Sequence, residues 1–192
     1  EQLVSTRQDN PEALYAYSQL ALLVGELDKA KDAALQVIKL KPDWADAYIL
    51  YSNTLYRQGQ KAKALQELKF ALQKAPDNIA LRDYYARRLV DEKRYEEARE
   101  QFKIVLETAP GNADAEYALA LLSLQTNQLD EANELFKHLV KSGKRVHESS
   151  YYLGQIAEQQ GKPKLAVQWY RVIGSGQYKV DAQIRIAMID AK

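Results

Sequence analysis

Two histidines are the only imidazole side chains in the chain, and imidazole is the group best suited to act as a base or metal ligand near neutral pH. His138 and His147 stand nine residues apart with a predicted loop between them, so they do not share a helix face. Neither has a third ligand at metal-binding spacing, and the sequence contains no cysteine. Ser149 and Ser150 follow His147, but no order of acid, base and nucleophile indicates an activated serine. We therefore predict no metal site and no nucleophilic catalysis at these residues.

A short glycine-rich stretch and many carboxylates are the remaining groups that could carry chemistry. Residues 174–176 (GSG) lack the Lys-Ser/Thr pair that a phosphate-binding P-loop requires, so we expect a loop between helices. The carboxylates are scattered at helical spacing, and none has an evident reason for a raised pKa. No dinucleotide fingerprint, EF-hand loop or HExxH motif is present. The sequence predicts a protein that is not an enzyme and binds no cofactor.

The overall composition limits the classes of partner. The formal net charge is +1, which gives no electrostatic reason to expect nucleic acid or an anionic membrane. No apolar run approaches the roughly 18 residues that a membrane helix needs. We therefore predict no nucleic-acid partner and no direct membrane insertion by this segment. The absence of cysteine is compatible with an oxidising or a reducing compartment.

An alanine that recurs every 34 residues reveals how the chain is organised. The five positions are Ala30, Ala64, Ala98, Ala132 and Ala166. The clearest unit, residues 85–113, contains an apolar helical segment, a polar turn over 91–94 and a second helical segment that Pro110 terminates. A period of this length with two helices per unit is typical of a helical solenoid.

Other columns of residues keep the same period. An apolar column, expected in the core, contains Tyr17, Tyr51, Tyr85, Leu119 and Leu153. Small residues at position 8 of the unit are Ser18, Ser52, Ala86, Ala120 and Gly154. Position 24, in the second helix, carries Ala34, Leu68, Phe102, Phe136 and Tyr170. The turn between the two helices has Gly25, Gly59, Lys93, Asn127 and Gly161. The second helix is followed by Pro42, Pro76 and Pro110, and then by Lys144 and Tyr178 in the last two units.

These columns together resemble the tetratricopeptide repeat (TPR) family, over nearly the whole chain. The resemblance implies an all-α fold, a right-handed α-solenoid of antiparallel helix pairs that forms a TPR superhelix. We predict a single TPR array over residues 1–192, whose five repeats are 11–44, 45–78, 79–112, 113–146 and 147–180.

Both ends of this array are expected to be incomplete. Residues 1–10 are predicted to be the end of a preceding repeat, and residues 181–192 the first helix of a sixth. The apolar face of that last helix, with Ile184, Ala187 and Met188, has no partner in the sequence, whereas a solenoid normally ends in a polar capping helix. We therefore expect a fragment of a longer protein.

The resemblance also implies a binding surface, because the first helices of stacked TPR units line the concave side. Positions 5, 9, 12 and 13 of each repeat supply the predicted partner-binding residues, which are Tyr15, Gln19, Leu22, Ile49, Asn53, Tyr56, Arg57, Asp83, Arg87, Tyr117, Leu121, Gln125, Tyr151 and Gln155. Tyrosine, aliphatic residues and amides suit protein recognition. Tyr15, Tyr56, Tyr117 and Tyr151 could instead pack between repeats, but we favour binding because they lie off the core stripe.

One known TPR ligand is not expected. The family's clamp for the C-terminal carboxylate of chaperones uses Lys and Asn in one repeat, Asn in the next, and Lys and Arg in a third. The corresponding residues here are Tyr15 and Gln19, then Asn53, then Ala80 and Tyr84, so only Asn53 matches. An apolar helix or an extended segment fits the predicted groove better.

Four stretches, residues 34–48, 81–102, 117–136 and 151–187, resemble a narrower group, the bacterial TPR lipoproteins of the outer membrane that act as adaptors for a carboxy-terminal processing protease. This resemblance implies a role in bringing cell-wall hydrolases to that protease. It also implies a periplasmic location, with an anchor in a part outside this segment. The alternatives are a cytoplasmic or secretion-system TPR scaffold, and a peptidoglycan-binding TPR domain that uses the same amides and aromatic rings. The sequence leaves the oligomeric state open.

Overall fold

The computed structural model describes residues 10–191. These residues form α-helices and the turns between them, with no strand, which confirms the predicted all-α fold built from helix pairs. The helices are α1 (Pro11–Val24), α2 (Leu27–Leu40), α3 (Ala45–Arg57), α4 (Lys61–Lys74), α5 (Ile79–Asp91), α6 (Tyr95–Thr108), α7 (Ala113–Gln125), α8 (Leu129–Lys141), α9 (Val146–Gln159), α10 (Pro163–Arg171) and α11 (Lys179–Asp190).

The chain divides into two compact units. The N-terminal unit ends at Arg94 and contains α1–α5, and the C-terminal unit begins at Tyr95 and contains α6–α11. Within each unit every helix packs on the next one in the chain. In the N-terminal unit the first helices α1, α3 and α5 also contact one another in sequence order. The first helices of the N-terminal unit therefore lie side by side.

The turn inside each repeat has one residue in the left-handed conformation, at position 15. The φ angle is +85° at Gly25, +78° at Gly59 and +68° at Gly161, but it is also positive at Lys93 (+59°) and Asn127 (+58°). In each turn the N–H of the following residue donates to a carbonyl five residues earlier, as from Arg94 to Leu89 at 2.9 Å. This hydrogen bond closes the first helix and reverses the chain.

Proline ends the second helix where it is present. Helices α2, α4 and α6 end two residues before Pro42, Pro76 and Pro110, because a residue that precedes proline is disfavoured in the helical conformation. Where proline is lost after α8, Gly143 and Arg145 adopt positive φ angles instead. Helix α11 begins at Lys179, two residues before the predicted start.

The periodic columns form the core of the described structure. The five alanines of the 34-residue period are fully buried, as are the residues of position 24. Tyr51 and Tyr85 are buried as expected, but the prediction for Tyr17 was wrong, because its side chain is 47% exposed. Tyr51 packs with residues of the preceding repeat, whereas no described residue covers the equivalent face of α1. The predicted helix end at residues 1–10 lies outside the described residues except for Asn10, whose side chain caps α1 by accepting from the Ala13 N–H at 2.9 Å.

Position 8 of the first helix lies so close to the second helix that the size of the side chain at this position matters. The Ser18 hydroxyl donates to the Ala30 carbonyl across the pair at 2.7 Å. At Gly154 there is no room for any side chain, because an added Cβ would lie 2.3 Å from Cε1 of Tyr170. In this last repeat the smallest residue at position 8 faces the largest residue at position 24.

We expect Gly154→Ala to lower the free energy of unfolding by about 1–3 kcal/mol, since overpacking outweighs the better helix propensity of alanine. Urea denaturation measures this change. Adding Tyr170→Leu to Gly154→Ala should recover part of the loss. Gly174→Ala is the matched control, because nothing lies within 4 Å of its added Cβ. A Gly154→Ala protein more stable than the wild type would contradict the proposed close contact.

Lys93→Gly should raise the free energy of unfolding by about 0.5–1 kcal/mol, because glycine adopts the left-handed conformation without the steric cost that lysine has. Loss of the Lys93 side chain removes little packing, because this side chain is exposed. Gly59→Lys makes the reverse change at the equivalent turn and should destabilise by a similar amount. Thermal unfolding of both variants checks the pair, and two shifts of the same sign would argue against the explanation.

Candidate functional site

The predicted binding residues of the first repeat surround one stacked aromatic pair. The Tyr15 ring stacks on Trp44, which immediately precedes α3, with 4.8 Å between ring centroids. Burial raises the pKa of the Tyr15 phenol above its ordinary value. Gln19 is exposed beside it, one helical turn further along α1. Leu22 is buried, so it belongs to the core and not to the predicted binding surface.

Tyr56 belongs to a second aromatic group, between α3 and α5. The Arg88 guanidinium lies 5.2 Å from the Tyr56 ring and 5.0 Å from the Tyr84 ring, between the two. The Tyr56 hydroxyl donates to the Arg88 carbonyl at 3.3 Å. Burial raises the pKa of Tyr56 to about 12. This tyrosine therefore combines a half-exposed ring with a structural contact between repeats.

The charged residues of the same surface are mostly neutralised locally. Asp83 and Arg87 form an ion pair within α5, with 2.7 Å between Oδ2 and Nε. The Arg57 side chain donates to the Leu22 carbonyl, which ties α3 to α1 while leaving much of the side chain exposed. Asn53 and Ile49 are half-buried on α3. The first helices of the N-terminal unit thus carry amides and paired charges next to the rings of Tyr15 and Tyr56.

Tyr117 is part of an aromatic cluster in the C-terminal unit. Its ring lies edge-on to Phe136 at 6.0 Å and to Tyr152 at 6.2 Å, and the Arg145 guanidinium covers it at 4.7 Å. Burial raises the pKa of Tyr152 to about 12. Leu121 is half-buried next to this cluster, and Gln125 is exposed at the end of α7. Tyr117 and Tyr152 are half-buried and offer part of their rings to solvent, whereas Phe136 is fully buried beneath them.

Tyr151 does not belong to the exposed surface. Its ring is buried, stacked on Tyr178 with 4.4 Å between centroids, and its hydroxyl donates to Asp181. The neighbouring Gln155 amide donates to the Tyr151 hydroxyl at 3.1 Å. The expectation that Tyr151 binds a partner is therefore replaced by a packing role, because the segment that leads into α11 covers the ring. Gln155 stays half-exposed above it.

A common feature explains which predicted residues are covered. Each tyrosine at position 5 has its ring covered by a residue from the segment that precedes the next first helix, and these residues are Trp44, Arg145 and Tyr178. Sequence reasoning missed all three, together with Arg88. The only signal was an aromatic residue or arginine about one repeat further on, at a position that the helical periodicity does not assign to any face.

Arg99 forms a buried ionic group in the C-terminal unit that the sequence reasoning also missed. Its side chain is 4% exposed and pairs with Glu96 at 2.6 Å and with Glu131 on α8. The Ser123 hydroxyl donates to Glu131 at 2.6 Å. Burial opposes ionisation of Glu131, but the hydrogen bonds from Ser123 and Arg99 outweigh it and hold its pKa below the ordinary value. This group joins α6 to α7 and α8.

The two histidines have separate surroundings. His138 Nδ1 lies 2.5 Å from the carboxylate of the buried Glu116, and His147 Nδ1 lies 3.4 Å from the Ser175 hydroxyl. Over residues 10–191 there is no cluster of three or more His, Cys, Asp or Glu side chains placed to hold a metal ion. Within the same range, no helix has the length and apolar character needed to cross a membrane.

Comparison with known proteins identifies related repeats and folds. Two family models, both described as tetratricopeptide repeat, match residues 18–79 and 89–151. A crystal structure of the MamA protein superposes with a TM-score of 0.73 at 16% identity, over 93% of this chain and 94% of that one. YrrB, a TPR protein described as having an unusual peptide-binding site, has a TM-score of 0.73 at 15% identity, over 100% and 97% of the two chains.

A third structure with the same fold is PilF of Pseudomonas aeruginosa, with a TM-score of 0.69 at 20% identity over 97% of this chain and 91% of that one. At these identities the similarity concerns the fold alone. A search of curated protein sequences finds no significant match.

Glu131→Gln should lower the free energy of unfolding at pH 7 by about 1–3 kcal/mol, because it removes the charge that Arg99 pairs with. The pKa of Glu131 is lowered in the folded state, so the stabilisation is present above the ordinary value of 4.5 and is lost as pH falls through the lower folded value. The difference between variant and wild type in urea denaturation should therefore shrink below pH 4.5.

Glu134→Gln is the matched control for this prediction. Glu134 is exposed on the same helix and pairs with Lys137 at 3.0 Å on the surface, so its loss should change stability by less than about 0.5 kcal/mol. A Glu131→Gln difference that stays constant from pH 7 to acid would count against the ionic role of Glu131.

Proposed function

Because the chain belongs to the tetratricopeptide repeat family, we propose that it is a scaffold that binds a partner polypeptide along the exposed side of its first helices. Members of this family typically act as non-catalytic scaffolds for protein interactions. The observation that carries the proposal is the surface of α1, α3 and α5. There the exposed Gln19 and the half-buried Asn53 lie on the same helices as Tyr15 and Tyr56, whose rings are already fixed by packing.

This surface suits the backbone and apolar side chains of a peptide. Amide groups can donate to and accept from a peptide backbone, and the half-buried ring of Tyr56 offers apolar area. Because Arg88 and Trp44 already hold the tyrosine rings in place, binding costs little side-chain entropy. The pairing of Asp83 with Arg87 leaves no strong charge preference. The peptide-binding site named for YrrB supports a peptide as the class of ligand.

The proposed partner is a carboxy-terminal processing protease, its cell-wall hydrolase substrates, or both. In this proposal the chain is a periplasmic adaptor, anchored at the outer membrane through a part outside this segment. The support is the resemblance of residues 34–48, 81–102, 117–136 and 151–187 to adaptors of that kind. The competing proposals are a cytoplasmic or secretion-system scaffold and a peptidoglycan-binding domain.

We expect the double variant Gln19→Ala/Asn53→Ala to weaken partner binding by about tenfold, because it removes two hydrogen-bonding tips from the proposed surface. The melting temperature should change little, since Gln19 is exposed and the aromatic contacts remain. The measurement is quantitative capture of partners from a bacterial envelope extract on immobilised protein. Gln66→Ala is the control, because Gln66 is an exposed amide on the second helix α4.

The identity of the captured partners separates the proposals. Recovery of a processing protease or a cell-wall hydrolase, reduced by the double variant and not by Gln66→Ala, supports the adaptor role. Recovery of cytosolic chaperones alone would exclude it. A melting shift with muropeptides but no captured protein would favour the peptidoglycan-binding alternative.

A further inference from the structure

Three half-buried tyrosines from successive parts of the C-terminal unit meet in one aromatic cluster. Tyr117 lies on α7, Tyr152 on α9, and Tyr178 in the segment before α11. The Tyr152 ring is 6.2 Å from the Tyr117 ring and 6.0 Å from the Tyr178 ring, with interplanar angles of 62° and 68°. The rings therefore stand at steep angles to one another and do not form a flat platform.

Each of these rings is fixed on one side by a second group. Phe136 stacks on Tyr152 with 5.2 Å between centroids, and Tyr151 stacks on Tyr178 with 4.4 Å between centroids. The Tyr117 ring is covered by a guanidinium group at 4.7 Å. A ligand that packs on rings already held in place loses little binding energy to the ordering of side chains.

The exposed side of this cluster does not depend on where the array ends. Tyr152 lies on the first helix of the fifth repeat, and its ring is flanked by Tyr117 from the repeat before it and by Tyr178 from the segment after it. A further helix pair of the array would pack on α10 and α11, in the way that α3 packs on α1 and α2. The cluster would therefore keep its exposed side in a longer array.

The three tyrosine hydroxyls converge without satisfying one another well. Those of Tyr152 and Tyr178 lie 3.4 Å apart, which is longer than the separation of about 2.7–2.8 Å that O–H···O hydrogen bonds prefer. Burial raises the pKa of Tyr117, and the nearness of its hydroxyl to the other two adds to this effect. A phenol keeps its proton near neutral pH, so each hydroxyl can donate to a better acceptor that a ligand supplies.

The charges beside the cluster are already paired. Arg145 forms ion pairs with Asp114 and Glu148, and Arg185 has two carboxylates within 3.0 Å. With two carboxylates against each arginine, there is no excess of positive charge to attract an acidic ligand. Both guanidinium groups also lie against tyrosine rings, where they occupy faces that a cationic ligand would need. The cluster therefore suits an uncharged ligand.

Converging hydroxyl donors beside fixed aromatic rings favour one form of polypeptide. The carbonyls of an α-helix are used in its own hydrogen bonds, whereas those of a segment in the polyproline II conformation have no internal partner. Proline side chains supply apolar rings that pack against aromatic residues, and the preformed segment loses little entropy on binding. Such a segment offers both the acceptors and the apolar area that this cluster lacks.

We propose that Tyr117, Tyr152 and Tyr178 bind an uncharged, proline-containing extended segment of a partner polypeptide, whose backbone carbonyls accept from the tyrosine hydroxyls. This inference rests on the proposed polypeptide-binding role and names the form of the ligand. It uses the C-terminal unit, whereas the surface that carries Gln19 and Asn53 belongs to the N-terminal unit. The two sites can therefore be tested separately.

The probe is a fluorescently labelled peptide of three Pro-Pro-Ala triplets with blocked termini, and its binding to the full chain is measured by anisotropy. We expect it to bind at least about tenfold more tightly than an equally long peptide of Gly-Ser-Ala triplets, which has no preformed conformation. Replacing the three alanines of the probe by glutamate should weaken binding by at least about threefold, because carboxylates already outnumber the arginines beside the cluster.

Tyr117→Phe and Tyr152→Phe each remove one hydroxyl and keep the ring that packs in the cluster. Each variant should weaken binding of the proline peptide by about three- to tenfold, and the double variant should weaken it further. Circular dichroism should show little change in melting temperature. Tyr17→Phe is the matched control, because it removes a phenol hydroxyl from an exposed side chain of the N-terminal unit and should leave binding unchanged.

Equal binding of the proline peptide and the Gly-Ser-Ala peptide would overturn the proposal, as would binding that both phenylalanine variants leave unchanged. Binding of muropeptides that Tyr152→Phe weakens, without binding of the proline peptide, would overturn it in favour of a glycan site. Binding of the proline peptide that only Gln19→Ala/Asn53→Ala weakens would also overturn it, while supporting the N-terminal surface. If the peptide binds as expected and that double variant captures partners as well as the wild type, this inference is supported and the N-terminal surface is contradicted.

Discussion

The close approach of the first helix to the second within a repeat is the constraint on which the rest of the structure depends. It requires small residues at position 8 and alanine at position 20, and these alanines are fully buried. The Ser18 hydroxyl satisfies its hydrogen-bonding capacity on the Ala30 carbonyl, so a polar side chain can occupy this contact without cost. Where the second helix carries Tyr170, only glycine remains possible at 154. The left-handed residue at position 15 then sets the direction in which the second helix returns.

This packing also determines what remains for binding. In α3, α5, α7 and α9 the apolar stripe is buried inside the unit, so the opposite side is left with amides, paired charges and the edges of tyrosine rings. The rings of Tyr15, Tyr56 and Tyr117 are held by Trp44, Arg88 and Arg145, which makes them rigid parts of the surface. A surface of fixed rings and short polar groups is suited to the recognition of a polypeptide.

Helix α11 is held on the fifth repeat by polar contacts as well as by its inner apolar face. In complete repeats, residues at positions 4 and 8 meet the second helix, but at α11 the same positions expose Ile184 and Met188. The contacts of Arg185 with Asp181 and Glu158 add to the packing of Ile186 and Ile189 in holding α11.

The sequence by itself determined the helices, their pairing, the positions of the turns and most of the buried columns. Each follows from local spacing: 3.6 residues per turn, a 34-residue period, and proline or glycine at fixed offsets. It did not determine the exposure of individual groove residues. Tyr17 and Tyr51 share one column, but only Tyr51 has a described repeat before it to pack on. Tyr15 and Tyr151 share position 5 of the repeat. Tyr178 buries the ring of Tyr151, whereas Trp44 covers only one face of the Tyr15 ring. The covering residues come from about one repeat further along the chain, so helical periodicity carries no information about them, and only the tertiary packing decides which side chains a partner can reach.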